Sequence, residues 1–412
     1  MDMRYQSSVF RFIRARARKR FLIQSVAIFL FWTATFSAVS AEDTGPAPEY
    51  QPVILEFREL IENDSVVRMY ISEMIDQVPQ KHRNIKDVHD FLNQLNSVLT
   101  TAPEYHSEPL SILPLTKIIL HTMSTPAGLA AYRNEKMNVM LRKVLRAWAE
   151  FLNSPKSLYV LNDSPEGWKS EQALKHLNMN DYLYDPDDRY WGFKSWNDFF
   201  TRKLAPGARP TAEPRNGKVI VSACDSVVYQ IKDHVKKWDD FWIKSQPYSL
   251  NDMLANDEYA EQFTGGTVFQ SFLNIFDYHR FHSPVSGVVK KAYIVNGLYF
   301  SKIITSKTDR TAQKNSQGYL TNVQTRALIF IEADDPEIGL VCVMPVGMLE
   351  ISSCIINPEI KPGYHIDKGR ELGRFQLGGS TCCLIFRPGV IKEFTVKREA
   401  ACKVGEQIAI AH

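Results

Sequence analysis

Two different hydrophobic periods divide this chain. Between residues 53 and 152 the apolar residues recur at the three- and four-residue steps of an α-helix. The clearest stripe consists of Met137, Met140, Leu141, Val144, Leu145, Trp148, Phe151 and Leu152. Arg142, Lys143 and Arg146 fall off that stripe, where a helix meets water. The pattern predicts a helical accessory domain over residues 42–152, with its first ten residues forming a Pro-rich linker.

From Lys218 onward the apolar runs become short, and Gly, Pro, Asn and Asp separate them. These runs are rich in Val, Ile, Phe and Cys, and they lie at 219–221, 227–231, 287–295, 327–331, 340–346, 348–356 and 381–386. Such spacing is typical of an antiparallel β-rich domain, which we place at residues 217–412. The predicted fold class is therefore α+β, with a helical N-terminal domain followed by a β-rich antiparallel domain.

Residues 153–216 separate these two regions and differ from both. Asn, Asp, Pro and Gly are frequent there, and aromatic residues cluster at 190–193 and 196–200. Two prolines and a glycine follow within 205–210, which excludes a continuous helix. We predict a linker whose aromatic segment forms a short helix, followed by a loop, and we expect its aromatic residues to pack on the core. A lipid-facing surface and the wall of an aromatic pocket are the alternatives for them.

The charge of the chain is uneven. The 412 residues carry a formal net charge of +3, but residues 1–41 alone carry +6, which leaves −3 for residues 42–412. The body of the protein has no clustered basic face, so we expect no nucleic-acid partner.

The N-terminal residues follow the order of a secretory signal. A basic block at 11–20 precedes an uncharged apolar stretch at 21–36, and small residues follow at 39–41. We expect a targeting segment over residues 1–41 and an exported or membrane-associated protein. An uncleaved membrane anchor and an Arg-rich organellar presequence remain as alternatives.

The six cysteines form no Cys-x-x-Cys pair. We expect them to be buried free thiols. His279 and His282 are three residues apart, but no third ligand accompanies them, so no metal site is predicted.

Four short segments carry the residues that are able to do chemistry. They are 223–226 with Asp225, 277–284 with both histidines, 347–354, and 378–381 with Ser380. Taken singly, each has an ordinary structural explanation: a turn-forming Asp, a structural histidine, a strand and a Gly-Gly-Ser turn.

Taken together and in this order, the segments resemble the phosphatidylserine decarboxylases. The resemblance covers roughly residues 190–400. It includes the segment Ala205-Pro206-Gly207-Ala208-Arg209-Pro210, the Asp-Tyr-His-Arg-x-His-x-Pro segment at 277–284, Val346-Gly347, and Lys368 to Phe375 leading into Gly-Gly-Ser-Thr.

The resemblance implies roles for individual residues. The catalytic acid of the family falls on Asp225, its histidine on His282 and its reactive serine on Ser380. Self-cleavage between Gly379 and Ser380 would yield chains 1–379 and 380–412, which would be partners of each other. Candidate substrate-binding residues are His279, Gly378 and Thr381. A homo-oligomer is a further partner to consider.

The implied chemistry needs these residue types. Serine is a weak nucleophile, so His282 would take its proton while Asp225 orients and stabilises the imidazolium. Ser380 would attack the Gly379 carbonyl, and elimination with hydrolysis would leave a covalent pyruvoyl cofactor made from Ser380. That group would form a Schiff base with a substrate amine and draw electrons from the carboxylate as carbon dioxide leaves.

The sequence departs from the family pattern at two places. Gly378 stands where leucine is common, and 222–226 lacks the usual proline and glycine. The helical accessory domain also resembles a branch that is similar to decarboxylases of free aromatic amino acids. The expected substrate is phosphatidylserine, which requires membrane contact, and the alternative is a free aromatic, tryptophan-like L-amino acid. A non-catalytic binding module and a serine hydrolase are the rivals from other classes.

Overall fold

The N-terminal half of the protein is helical. The computed structural model describes residues 49–239, 248–302, 316–350, 353–376 and 380–412. The predicted targeting segment, Gly378 and Gly379 lie outside these ranges. The α-helices in the described ranges are Pro52–Asn63 (α1), Ser65–Asp76 (α2), Val88–Val98 (α3), Pro114–Ile119 (α4), Pro126–Ala131 (α5), Glu135–Leu152 (α6), Glu171–His176 (α7), Trp196–Phe200 (α8), Leu250–Met253 (α9) and Gln317–Val323 (α10).

The C-terminal half is built from antiparallel strands. The described strands are Val219–Val221 (β1), Ser226–Lys232 (β2), Thr267–Leu273 (β3), Arg280–His282 (β4), Gly287–Val295 (β5), Arg326–Ala333 (β6), Leu340–Gly347 (β7), Ser353–Ile356 (β8), His365–Ile366 (β9), Glu371–Gln376 (β10), Ser380–Phe386 (β11), Ile391–Phe394 (β12), Ala401–Cys402 (β13) and Gln407–Ala411 (β14). Short 3₁₀ helices lie at Gln80–His82, Pro109–Ile112, Thr122–Ser124, Pro155–Val160, Met179–Asp181 and Glu258–Phe263.

Helix α6 shows how the sequence pattern produces the helical part. Asn134 caps its N-terminus, since the side-chain oxygen accepts the Met137 N–H at 3.1 Å. The predicted stripe from Met137 to Leu152 is almost wholly buried. At its C-terminal end Trp148 is fully buried, and its indole N–H donates to the Thr101 carbonyl at 2.8 Å. The helical prediction for this region is confirmed.

The largest sheet places Ser380 near the middle of the molecule. Among the described residues it has the strand order β13-β2-β3-β11-β7-β6-β5-β9, and each neighbouring pair is antiparallel. Strand β11 lies between β3 and β7, and all its residues are buried. A central strand that is covered on both faces is expected to be apolar throughout, as β11 is after Thr381. The α+β prediction is confirmed.

Two smaller sheets complete the β-rich part in the described ranges. One has the order β1-β14-β12, and the other has the order β4-β10-β8. In the second sheet His282 lies opposite Glu371, and Arg280 lies opposite Arg374. Strand β10 ends at Gln376, shortly before β11 begins at Ser380. The chain therefore passes from the sheet that carries His282 directly to the sheet that carries Ser380.

The aromatic segment joins the helical and β-rich parts. Trp196, Phe199 and Phe200 of α8 are buried, and the rings of Trp196 and Phe200 stack at 4.9 Å. Core residues of the helices and of the large sheet belong to one continuous cluster. The expectation that these aromatic residues pack on the core is confirmed, while the boundaries at 152 and 216 remain predictions.

No helix in the described part of the chain has the length and apolar character that crossing a membrane requires.

Candidate active site

Ser380 is the first residue of β11 and is completely buried. Its neighbours across the sheet are Leu273 of β3 and Gly347 of β7. Its hydroxyl oxygen has no hydrogen-bond partner among the described residues. Buried hydroxyl groups are normally hydrogen-bonded, so an unpaired one indicates a group held for another purpose than stability.

His282 is buried, and both of its ring nitrogens are engaged. The Gly369 carbonyl accepts a hydrogen bond from Nδ1 at 2.8 Å, which fixes the ring proton there because a carbonyl can only accept. Nε2 is then the free acceptor, and the Tyr278 hydroxyl donates to it at 3.0 Å. Burial lowers the pKa of His282 below its ordinary value, so the ring is a neutral base. Gly369 has φ +82°, the left-handed backbone that glycine adopts without strain.

Asp225 is held as a carboxylate at the start of β2. Its side chain accepts hydrogen bonds from Arg209 Nη2 at 2.7 Å and from the Val404 N–H at 2.8 Å. Burial opposes ionisation, but these bonds and the charges of Arg209 and Lys403 hold the pKa of Asp225 below its ordinary value. The predicted orienting bond from Asp225 to His282 is replaced here, since Gly369 binds the imidazole and Arg209 binds the carboxylate.

His279 and Thr381 are both fully buried. His279 directly precedes β4, and Thr381 follows Ser380 in β11. The His279 ring stacks on Phe200 at 4.1 Å, and burial, helped by Arg202, lowers its pKa to about 3. The Thr381 hydroxyl donates to the Ser271 carbonyl and accepts from Gln270, so it links β11 to β3 in this structure. Of the predicted residues, Asp225 precedes β2, His282 ends β4 and Ser380 begins β11, and no hydrogen bond joins any two of them in the described part of the chain.

Asp277 is a functional candidate to which the sequence analysis gave no role. It lies in the loop between β3 and β4, and its carboxylate accepts the Asn274 N–H at 2.7 Å. Burial raises the pKa of Asp277 to about 6, and the charge of Asp225 adds to the rise. The signal was present in the sequence, because Asp277 opens the segment that contains both histidines. Two carboxyl groups with opposite pKa shifts are typical of acid–base sites.

An apolar cavity of about 510 Å³ lies next to the ends of β3 and β7, the two strands that flank Ser380. The residues that follow its two cross-strand neighbours line this cavity, namely Asn274 and Ile275 on one side and Met348 and Leu349 on the other. Leu110 and Leu113, which precede α4, form another part of the wall. The helical N-terminal region therefore contributes directly to this cavity.

A second cavity of about 900 Å³ lies on the side of His282 and is polar. The two cavities thus differ in chemistry: the wall of the first is mostly apolar, and the wall of the second, which includes His282, is mostly polar.

The six cysteines are all buried and unpaired, as the sequence analysis predicts. Cys224 and Cys382 hydrogen-bond each other, which ties the segment of Asp225 to the strand of Ser380.

Comparison with known proteins identifies the family. A model described as phosphatidylserine decarboxylase matches residues 196–410, and a second phosphatidylserine decarboxylase model matches residues 51–177. The chain belongs to the phosphatidylserine decarboxylase family. The first match contains His282 and Ser380, and the second contains Leu110 and Leu113 of the apolar cavity.

The relatives of this family member differ in their named substrates. The chain is 39% identical to "Decarboxylase iboD" of Amanita muscaria over 296 residues, which is 67% of this chain and 84% of that protein. It is 33% identical to an L-tryptophan decarboxylase of Psilocybe cubensis over 370 residues, 83% of this chain and 82% of the relative. Phosphatidylserine decarboxylase proenzyme 3 of Schizosaccharomyces pombe matches over 241 residues at 33%, covering 56% of this chain and 23% of that protein.

The residues of this phosphatidylserine decarboxylase family member fit a pyruvoyl group at position 380. The precursor hydroxyl is present, buried and unpaired, and a neutral histidine lies in the adjoining sheet. The departures at 222–226 leave the acid in place, since Asp225 is firmly bound by Arg209.

Proposed function

We propose that this protein is a self-processing, pyruvoyl-dependent decarboxylase of a free L-amino acid with a large apolar, tryptophan-like side chain. The observation that carries the proposal is the apolar cavity at the ends of the two strands that flank Ser380, and the helical region helps to form this cavity. From the sequence, phosphatidylserine is the expected substrate and a free aromatic L-amino acid is the alternative. The cavity reverses this order of preference.

Self-processing would begin at the unpaired hydroxyl of Ser380. His282 Nε2 accepts the proton, and Ser380 Oγ bonds to the carbonyl carbon of Gly379 as the Gly379–Ser380 peptide C–N bond breaks. Loss of the Cα proton of residue 380 then breaks the Cβ–Oγ bond of the new ester. This leaves a carboxylate on Gly379 and a Cα–Cβ double bond in residue 380. Water hydrolyses the remaining unsaturated residue, and ammonia departs. The step requires the Tyr278 hydroxyl to release Nε2, because that atom is otherwise occupied.

The pyruvoyl ketone supplies an electron acceptor for decarboxylation. The chain supplies the surroundings. Met348, Leu349 and Ile275 exclude water from the substrate side chain, and Asp277 is close enough to its pKa at neutral pH to exchange a proton.

The relatives support a free amino acid over a lipid. The match to the tryptophan decarboxylase includes the accessory region, whereas the match to the Schizosaccharomyces pombe phosphatidylserine decarboxylase covers 56% of this chain. A cavity of about 510 Å³ fits a drug-sized or smaller ligand. Phosphatidylserine is the second candidate, and the family model and the polar cavity next to His282 favour it.

The test is carbon dioxide release by the processed protein with each free L-amino acid and, separately, with phosphatidylserine vesicles. Turnover of tryptophan or phenylalanine with none on vesicles is expected. Turnover on vesicles alone would overturn the assignment of a free amino acid as the substrate, but the protein would still be a decarboxylase. Ser380→Ala is the matched control, and it is expected to remain one chain on a denaturing gel and to release no carbon dioxide.

The cavity wall has its own test. Leu110→Trp fills the space with a larger side chain, so we expect the KM for a large amino acid to rise by about tenfold or more while self-cleavage is unchanged. Leu174→Trp on α7 is the control, because Leu174 is exposed and away from the cavity. Equal KM values in the two variants would show that substrate does not enter this cavity.

A further inference from the structure

Two arginines lie directly opposite each other in the sheet that carries His282. Arg280 of β4 is in register with Arg374 of β10. Like charges at facing positions of an antiparallel pair destabilise the sheet unless something compensates them. The arrangement therefore calls for negative charge at this place.

The protein itself supplies only part of the negative charge that the two facing arginines require. Arg280 donates from Nη1 to Glu371 at 2.8 Å and from Nε to the Thr201 carbonyl at 2.8 Å. Within the described residues, the half-buried guanidinium of Arg374 has no hydrogen-bond or ion-pair partner. Burial and the nearby Arg280 lower the pKa of Arg374, which indicates that its charge is poorly compensated.

Both arginines open onto the polar cavity of about 900 Å³. Lys203 and Arg370 add two further cations to its wall, and Asp198, Glu359 and Glu371 are its acids. Glu371 is already bound by Arg280 and Asn357, and Asp198 accepts the Lys194 N–H. Glu371 therefore offsets the charge of Arg374 only in part, and no acid in the described ranges forms an ion pair with its guanidinium.

We infer that this cavity binds a phosphate-type oxyanion, held by Arg374 together with Arg280 and Arg370. A guanidinium offers a planar fork of donors that matches phosphate oxygens. A tetrahedral anion has enough oxygens to accept hydrogen bonds from more than one guanidinium. A carboxylate, with two oxygens, is less suited to this. The anion would lie beside His282, in a cavity that shares no lining residue with the apolar cavity.

The test uses the full chain and inorganic phosphate as the probe. Phosphate is titrated against sodium chloride at equal ionic strength, and the thermal unfolding midpoint is followed. Specific binding raises the midpoint as phosphate saturates its site, beyond the effect of chloride. Arg374→Gln should weaken the apparent phosphate affinity by about tenfold or more, as expected for loss of a charge-assisted bond.

Two further variants keep the result interpretable. Arg58→Gln removes an exposed arginine of α1 and should leave the phosphate response unchanged. Arg370→Gln changes an exposed residue of the cavity wall, and it should weaken phosphate binding even if Arg374→Gln fails to fold. A phosphate response equal to that of chloride, or one that survives both cavity variants at full strength, would overturn the inference.

Parallel arms identify the source of the anion. Glycerophosphoserine presents a lipid headgroup in soluble form, and vesicles containing phosphatidylserine are compared with vesicles of phosphatidylcholine alone. Binding of phosphate and glycerophosphoserine with Arg374-dependent vesicle binding indicates a headgroup site. Binding of inorganic phosphate alone indicates a site for the free anion. Either result supports the oxyanion site, and neither depends on whether the protein decarboxylates an amino acid.

Discussion

At the residue scale, the site contains a buried carboxyl group, Asp225, and a half-buried one, Asp277, whose pKa values shift in opposite directions. Asp225 is held ionised by the fork of Arg209 and by the Val404 N–H. Among the described residues, Asp277 accepts one backbone N–H and forms no ion pair, so burial dominates and raises its pKa to about 6. The neighbouring charge of Asp225 acts in the same direction. Only Asp277 is therefore poised to gain and lose a proton near neutral pH.

We expect Asp277→Asn to change how stability depends on pH. Because the folded-state pKa of Asp277 is raised from 3.8 to about 6, its contribution to stability is full at low pH and is lost as pH rises through about 6. Asparagine keeps an acceptor for the Asn274 N–H but does not titrate. Denaturant unfolding between about pH 4 and about pH 7 should show a fall in wild-type stability that the variant lacks. Exposed Asp163→Asn is the control and should follow the wild type.

The individual site residues were predictable to different degrees. Ser380 and His282 came from ordered local motifs, and the structure puts them on β11 and β4, which belong to different sheets. The bond from His282 to the Gly369 carbonyl and the pairing of Asp225 with Arg209 were not predictable. Both join residues that the chain order separates, and only the completed fold brings them together.

At the scale of elements, Glu350 connects the helical region to the loop after β7. Its carboxylate is fully buried and accepts the Thr116 N–H at the start of α4 at 2.5 Å. The residue before it, Leu349, has φ +55°, an uncommon backbone conformation for a side chain of this size. Since Met348 and Leu349 line the apolar cavity, Glu350 fixes that wall relative to α4.

Glu350→Gln is expected to remove a stability loss at alkaline pH. Burial raises the pKa of Glu350 from 4.5 to about 8, so the protonated form is favoured by folding. Its contribution is full below about pH 4.5 and disappears as pH rises through about 8. Glutamine keeps an oxygen for the Thr116 N–H and stays neutral. The free energy of unfolding, measured with denaturant from about pH 5 to about pH 9, should decline for the wild type and stay level for the variant. Parallel curves for the two proteins would contradict this role.

The elements themselves followed closely from the sequence. The apolar stripe that ends at Leu152 is helix α6, and the run at 381–386 is strand β11 with Ser380 added at its start. The sequence pattern did not reveal which strands are neighbours, nor that β4, β10 and β8 form a separate sheet. Hydrophobic period reports which face of a strand is buried, but it carries no information about the partner strand.

At the scale of the whole molecule, the last 33 residues contribute strands to two of the sheets in the β-rich part. Strand β11 lies between β3 and β7 in the large sheet, and β13 pairs with β2 at the edge of the same sheet. Strand β14 lies between β1 and β12 in a small sheet. Residues 380–412 thus form hydrogen bonds to strands on both sides. Most of their buried apolar side chains belong to the main core, and those of Cys383 and Ile385 belong to a second apolar cluster.

This arrangement predicts that the two chains stay together after cleavage between Gly379 and Ser380. Separation would expose the wholly buried strand β11 and leave the facing groups of β3 and β7 unpaired, which is costly in water. Gel filtration in native buffer should give one peak, and a denaturing gel of that peak should show both chains. Ser380→Ala should elute at the same volume but show one chain. If the 33-residue chain eluted separately in native buffer, strand β11 would not be held as the sheet register indicates.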